Sequence, residues 1–98
     1  MAAYAVFIRS KTTDPSGMKI YGALSAEAPL DKLEIVATSK RGGTFQVLEG
    51  EPAEAIVILK FPTIKDALEW YNSDAYQKAL PYRKASAEVR GYLIEDVS

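Results

Sequence analysis

The sequence contains no cysteine and no histidine. Without cysteine the chain has no disulfide, no thiolate nucleophile and no thiolate metal ligand. Without histidine it lacks the commonest general base and the commonest neutral metal ligand. Any chemistry must therefore use Asp, Glu, Tyr, Arg, Lys or Ser side chains or a bound cofactor. We predict that the protein uses neither a metal nor a cofactor.

The chain also lacks an excess of charge and a long apolar run. Its 12 basic and 13 acidic residues give a net charge of −1, which creates no field to attract nucleic acid or anionic lipid. The longest apolar run, residues 55–59, has the length of a strand rather than a membrane span. The N-terminus lacks the basic start and cleavage site of a signal peptide. We expect a single cytoplasmic domain over residues 1–98, without a nucleic-acid or membrane partner.

Alternating apolar residues and turn residues divide the chain into strands and helices. The predicted strands are residues 3–10, 33–38 with a continuation at 44–48, 55–61 and 92–97. A turn at Gly42 and Gly43 separates the two parts of the second strand. The order βαββαβ predicts an α+β, ferredoxin-like fold, in which two helices cover one face of a four-stranded antiparallel sheet.

The helix boundaries have recognisable capping residues. Asp14 before Pro15 suits the start of the first helix, which we expect to end at Pro29. Thr63 and Asp66 resemble a capping box at the start of the second helical region. Asn72 or Ser73 can start a further helical segment, which runs to about residue 88.

The two central strands are apolar on both faces. In residues 3–10 Tyr4, Val6 and Ile8 lie on one face, while Ala5 and Phe7 lie on the other. An antiparallel sheet with one solvated face alternates apolar and polar residues instead. The helices cover only one face, so we predict that the same sheet of a second copy covers the other, giving a homodimer.

The C-terminal half carries a specific combination of residues. It has a strand ending in Phe61-Pro62, the element Trp70-Tyr71-x-Ser73-x-x-Tyr76, an arginine seven residues past that tyrosine, and a final strand with an acidic end. Together with the run VLEG at residues 47–50, these features resemble the domain-of-unknown-function 1330 family. The resemblance implies a dimeric α+β barrel, in which two ferredoxin-like sheets pack face to face, with a cleft between sheet and helices. Barrels of this kind host several unrelated activities, so the fold implies no reaction.

Arg83 and Tyr76 are the first candidate site residues. Tyr76, Leu80 and Arg83 share one helical face if the helix continues through Pro81. An inward guanidinium could hold a carboxylate or enolate oxygen through two hydrogen bonds. It could equally be half of a structural ion pair, with Glu49 as its partner.

The remaining candidates are Glu49, as a possible base, and Trp70, Tyr71 and Ser73, as possible ligand contacts. Trp70 lies off the apolar stripe formed by Ile64, Leu68 and Tyr71, so we expect it in a cleft wall or a subunit contact. Ser73 suits a helix cap better than a nucleophile, because the chain has no histidine to activate it.

These residues are consistent with two functions. In the first, the protein binds or converts a small anionic or carbonyl-bearing organic molecule without a metal, and Arg83 anchors the anion. In the second, it is a non-catalytic homodimeric stress or scaffold protein. The sequence does not decide whether the protein is an enzyme.

Overall fold

The computed structural model describes residues 1–39 and 44–97. The strands in this part of the chain are β1 (Ala3–Thr12), β2 (Glu34–Thr38), β3 (Ala55–Phe61) and β4 (Ala87–Glu95). The helices are α1 (Pro15–Ser25), α2 (Ile64–Tyr71) and α3 (Asp74–Ser86). None of these helices is long and apolar enough to cross a membrane.

The strands form one antiparallel sheet in the order β2-β3-β1-β4. The central strand β1 pairs with both β3 and β4, so that Ala5 lies opposite Leu59 on one side and Leu93 on the other. The strands that flank α1 are thus separated by β3, and those that flank α2 and α3 are separated by β1. This interleaving of two βαβ units is the predicted ferredoxin-like arrangement.

The capping residues lie where the sequence predicts them. The Asp14 carboxylate accepts a hydrogen bond from the Ser16 N–H at 3.1 Å and caps α1. Thr63 and Asp66 form the predicted box, in which the Asp66 N–H donates to Thr63 Oγ1 at 3.1 Å. The Ser73 hydroxyl caps α3 by accepting from the Tyr76 N–H at 3.3 Å. The second helical region therefore consists of two helices that meet at Asn72 and Ser73.

One predicted strand is absent, and the largest errors in boundaries are at the end of α1 and the start of β4. Residues 44–48 form no strand. Helix α1 ends at Ser25 rather than at Pro29, although Ala28 still packs into the core. Strand β4 begins at Ala87, directly after α3, because residues 87–89 continue the ladder with the end of β1. The predicted turn at Gly42 and Gly43 lies outside the described residues.

The sheet has one face covered by helices and one without them. On the covered face, Ala3, Ala5, Leu59 and Phe61 form the core with Tyr76 and other helix residues. The second face, called here the helix-free face, carries apolar side chains from three strands. These are Tyr4, Val6, Ile8, Ile56, Ile58, Tyr92 and Ile94. Ile94 is 61% exposed and Tyr92 is 56% exposed, as expected for a face that the chain itself leaves uncovered.

Candidate functional site

Helix α3 directs Arg83 into the interior of the protein. The helix runs without interruption through Pro81, so Tyr76, Leu80 and Arg83 all lie on its buried face. Pro81 cannot donate to the carbonyl of Gln77, but both residues are exposed, so water can take over that hydrogen bond. The helix therefore continues through Pro81 at little cost in free energy, and Tyr76, Leu80 and Arg83 share one face as predicted.

Arg83 is a buried cation that contacts aromatic rings. Only 8% of the residue is exposed, and its Nη1 donates a hydrogen bond to the Tyr76 hydroxyl at 2.9 Å. Its guanidinium carbon lies 5.4 Å from the centroid of the Phe7 ring and 5.8 Å from that of Tyr21. The ion pairs among the described residues are Arg9–Glu54 and Lys32–Asp66, so no carboxylate of this part of the chain is paired with Arg83.

Tyr76 connects Arg83 to a second phenol. The hydroxyl oxygens of Tyr76 and Tyr21 are 2.9 Å apart. Burial raises the pKa of Tyr76 above its usual 10.0, and the neighbouring Tyr21 raises it further, while the charge of Arg83 opposes both effects. Tyr76 is therefore a neutral phenol at physiological pH, which suits a hydrogen-bonding role rather than that of a base.

Two cavities meet at Arg83 between the sheet and the helices. The first, called here the Arg9 cavity, has a volume of about 110 Å³. Its walls include Arg9, Tyr21, Trp70 and Arg83 together with apolar side chains such as Met18 and Val57. The second, the Tyr71 cavity, has a volume of about 230 Å³ and is lined by Tyr71, Ala67, Leu93 and others. Phe7, Trp70 and Arg83 belong to both walls, and no acidic residue of the described chain lines either cavity.

Three of the residues that line the Arg9 cavity carry a buried hydrogen-bond donor without a partner. Among the described residues, three buried side-chain polar atoms make no hydrogen bond: Arg9 Nε, Trp70 Nε1 and Arg83 Nε. All three are N–H donors, and all three belong to residues that line this cavity. Buried polar groups are nearly always satisfied, so a group of unpaired donors indicates a site for an acceptor-rich molecule.

The other residues predicted for the site are placed differently. Trp70 is a core residue, only 8% exposed, because α2 turns its largest ring toward Phe7 and Phe61 and leaves Leu68 46% exposed. The same ring still forms a wall of both cavities. Tyr71 is half-buried in the wall of the Tyr71 cavity.

Ser73 and Glu49 lie away from the cavities. The Ser73 hydroxyl donates to the carbonyl of Trp70 at 2.8 Å in addition to capping α3, so it is occupied by backbone groups. Glu49 is exposed beside Gly50, and the structure does not bring it to Arg83. No group of three or more carboxylates among the described residues could hold a metal ion.

Three residues of the site were not predicted from the sequence. The sequence indicates Phe7 only as an apolar residue of β1, and it gives no reason to select Tyr21 on α1. A signal for Arg9 was nevertheless present, since the alternation in β1 places it on the same face as Ala5 and Phe7. An arginine at that position of the alternation lies on the face of the sheet that the helices cover.

The fold and the comparisons agree on the class of the protein, which is a ferredoxin-like α+β protein. The family described as "Domain of unknown function (DUF1330)" matches residues 2–97. The chain therefore belongs to this family. No curated protein sequence matches it.

Several solved structures share the fold. A protein of unknown function from Rhodopseudomonas palustris is 17% identical, with a TM-score of 0.72 over 99% of this chain and 83% of the other. A dimeric ferredoxin-like protein of unknown function from Thermobifida fusca is 11% identical, with a TM-score of 0.63 over 96% and 90% of the two chains. SnoaB, a cofactor-independent oxygenase from Streptomyces nogalater, is 7% identical, with a TM-score of 0.55 over 99% and 93%. At these identities the likeness concerns the fold alone.

Proposed function

We propose that this protein binds a small organic anion in the Arg9 cavity, with Arg83 as the group that anchors the anion. The observation that carries the proposal is the set of three unpaired buried donors, Arg9 Nε, Trp70 Nε1 and Arg83 Nε, on residues that line one cavity. A carboxylate offers only acceptors and would satisfy such donors.

The charge of the site supports an anion. Arg83 is desolvated and has no carboxylate partner in the described chain, which is costly for a buried charge. Arg9 lies near the carboxylate of Glu54. Its Nε is 3.9 Å from the Glu54 oxygen, which is too far for a hydrogen bond. A bound anion would compensate the Arg83 charge in a medium where electrostatic interactions are strong.

In this proposal Tyr76 fixes the position of the Arg83 side chain. Its hydroxyl fixes one arm of the guanidinium, and the rings of Phe7 and Tyr21 flank the rest. Glu49 has no role in the proposed site, because it is exposed and lies in neither cavity wall. Any conversion of the bound molecule would depend on the substrate's own reactivity and on hydrogen bonds from this cavity.

We also propose that the functional unit is a homodimer formed through the helix-free face. That face carries contiguous apolar side chains from β1, β3 and β4, of which Tyr92 and Ile94 are mostly exposed. Monomeric proteins rarely expose a large apolar patch, whereas an identical face on a second copy is self-complementary. The Thermobifida fusca protein with this fold is described as dimeric.

The binding proposal can be tested by titration of isotope-labelled protein with matched neutral and anionic probes. We expect butyrate to cause saturable NMR shifts around Arg83, Tyr21 and Trp70, and butyramide to cause none. Hydrogen bonds to charged groups contribute ~1.5–3 kcal/mol, so Arg83→Met should weaken butyrate binding about 10-fold to 100-fold. Lys84→Met removes a neighbouring exposed charge of the same helix and should change the affinity less than about twofold.

Two outcomes would contradict the proposal. One is the absence of saturable butyrate binding to the folded wild-type protein. The other is binding that is equal for the acid and the amide, or that survives Arg83→Met unchanged, since the guanidinium would then not hold the anion.

A further inference from the structure

The hydrogen-bond chain Arg83–Tyr76–Tyr21 has a direction that can be derived from its surroundings. Arg83 Nη1 donates to the Tyr76 oxygen, because a guanidinium has no acceptor. The Tyr76 proton must then find another acceptor. Tyr76 is 0% exposed, and among the described residues its hydroxyl has one other neighbour within hydrogen-bond distance, the Tyr21 oxygen. Tyr76 therefore donates to Tyr21.

This direction leaves the Tyr21 proton available. With the Tyr76 proton on the line between the two oxygens, Tyr21 accepts in that bond and must use its own proton elsewhere. The described residues provide no other partner for the Tyr21 hydroxyl, and Tyr21 lines the Arg9 cavity as well as a larger cavity that Tyr76 also lines. Because this series of hydrogen bonds starts at the Arg83 cation, the hydroxyls of Tyr76 and Tyr21 are both polarised and become stronger donors.

We infer that Tyr21 donates a hydrogen bond to a ketone oxygen of the bound anion, so that the preferred ligands are short 2-oxo carboxylates. This inference rests on the proposed anion site. The Tyr21 oxygen lies two hydrogen bonds, each of 2.9 Å, from Arg83 Nη1. The two donors are therefore at most 5.8 Å apart, a span that a carboxylate oxygen and an oxygen on the adjacent carbon of one molecule can bridge.

Two further observations define the ligand. The Arg9 cavity, at about 110 Å³, is smaller than the ~150 Å³ cavity that holds a benzene molecule, so a short chain fits better than a ring. The unpaired polar atoms around it are all donors. A ketone oxygen only accepts, whereas the proton of a 2-hydroxy acid would compete with these donors for acceptors. The site should therefore distinguish a ketone from an alcohol.

The test compares three acids of equal carbon number: 2-oxobutyrate, 2-hydroxybutyrate and butyrate. We expect 2-oxobutyrate to bind about threefold to tenfold more tightly than butyrate, the range for one added hydrogen bond, and 2-hydroxybutyrate to bind more weakly than the oxo acid. Tyr21→Phe should abolish the preference, so that the variant binds 2-oxobutyrate and butyrate with equal affinity. Tyr71→Phe, which removes a hydroxyl from the wall of the other cavity, should keep the preference.

A second measurement does not depend on the folding of a variant. In wild-type protein with ¹³C-labelled tyrosine, the Cζ signal of Tyr21 should shift more with saturating 2-oxobutyrate than with butyrate. Equal shifts, equal affinities of the two acids, or a preference that survives Tyr21→Phe would overturn the inference and leave the anion site standing. If neither acid binds, the proposed function itself is wrong.

Discussion

Replacing Arg83 by methionine should separate a ligand anchor from a structural ion pair. Methionine keeps most of the unbranched stem and its packing against Phe7, but it removes the charge and all five N–H donors. We expect the free variant to unfold with nearly the wild-type free energy while it loses the ability to bind small carboxylates.

The magnitude follows from the contacts of Arg83. The substitution removes one hydrogen bond to the Tyr76 hydroxyl, which contributes ~1.5–3 kcal/mol when the donor is charged, and two contacts with aromatic rings. It also removes a buried charge without an ion-pair partner, whose desolvation costs several kcal/mol. These effects oppose one another, so we expect a net change within ~1 kcal/mol in either direction, or about 4–8 °C in melting temperature.

Urea unfolding followed by the fluorescence of Trp70, the single tryptophan, measures this change. Wild type and variant must be compared at one protein concentration, because the stability of the proposed dimer would depend on concentration. Breaking a buried ion pair typically costs ~3–5 kcal/mol. A loss of that size, in a protein that no small carboxylate stabilises, would show that Arg83 is structural and would refute the reasoning above.

Two other substitutions, each with a control, test the proposed interface and the packing of α1. Ile58→Asp places a charge on the helix-free face and should give monomeric or unfolded protein in light scattering, whereas Ile20→Asp on the exposed side of α1 should leave a dimer. A dimer that tolerates Asp at position 58 would contradict the proposed interface. Gly17→Ala should destabilise by ~1–3 kcal/mol, because its Cβ would lie 1.9 Å from Ser86 Oγ. Gly22→Ala, with open space around its Cβ, should instead stabilise by ~0.5–1 kcal/mol in thermal unfolding, and equal effects of the two changes would refute the packing argument.

The elements that were predicted correctly are those specified by local chemistry. Asp14, Thr63 and Ser73 cap their helices because short polar side chains satisfy backbone N–H groups within the same turn. The boundaries that were predicted wrongly depend on distant partners. Strand β4 starts at Ala87 because the end of β1 is available to pair with it, and no local signal distinguishes those residues from the end of a helix.

The same difference between local and distant contacts decides which residues of the site can be predicted from the sequence. Arg83 and Tyr76 are seven residues apart on one helix, so helical periodicity is enough to place them together. Tyr21 is 55 residues from Tyr76 and lies on another helix, and their contact exists only in the folded chain. The complementary charges of Glu49 and Arg83 make them a plausible pair in the sequence, but charge alone does not determine which residues meet, and the two are not paired in the fold.

The aromatic rings around Arg83 explain why an arginine can occupy the core of so small a protein. Phe7 and Tyr21 present ring faces within 6 Å of the guanidinium, which partly replaces the hydration that the charge has lost. Gly91 provides the room for this arrangement, since a Cβ there would lie 2.9 Å from the Phe7 ring. The packing thus holds the guanidinium in place with its Nε donor unpaired, so that a ligand can satisfy this donor. Such preorganisation reduces the free energy that binding would otherwise spend on ordering the side chain.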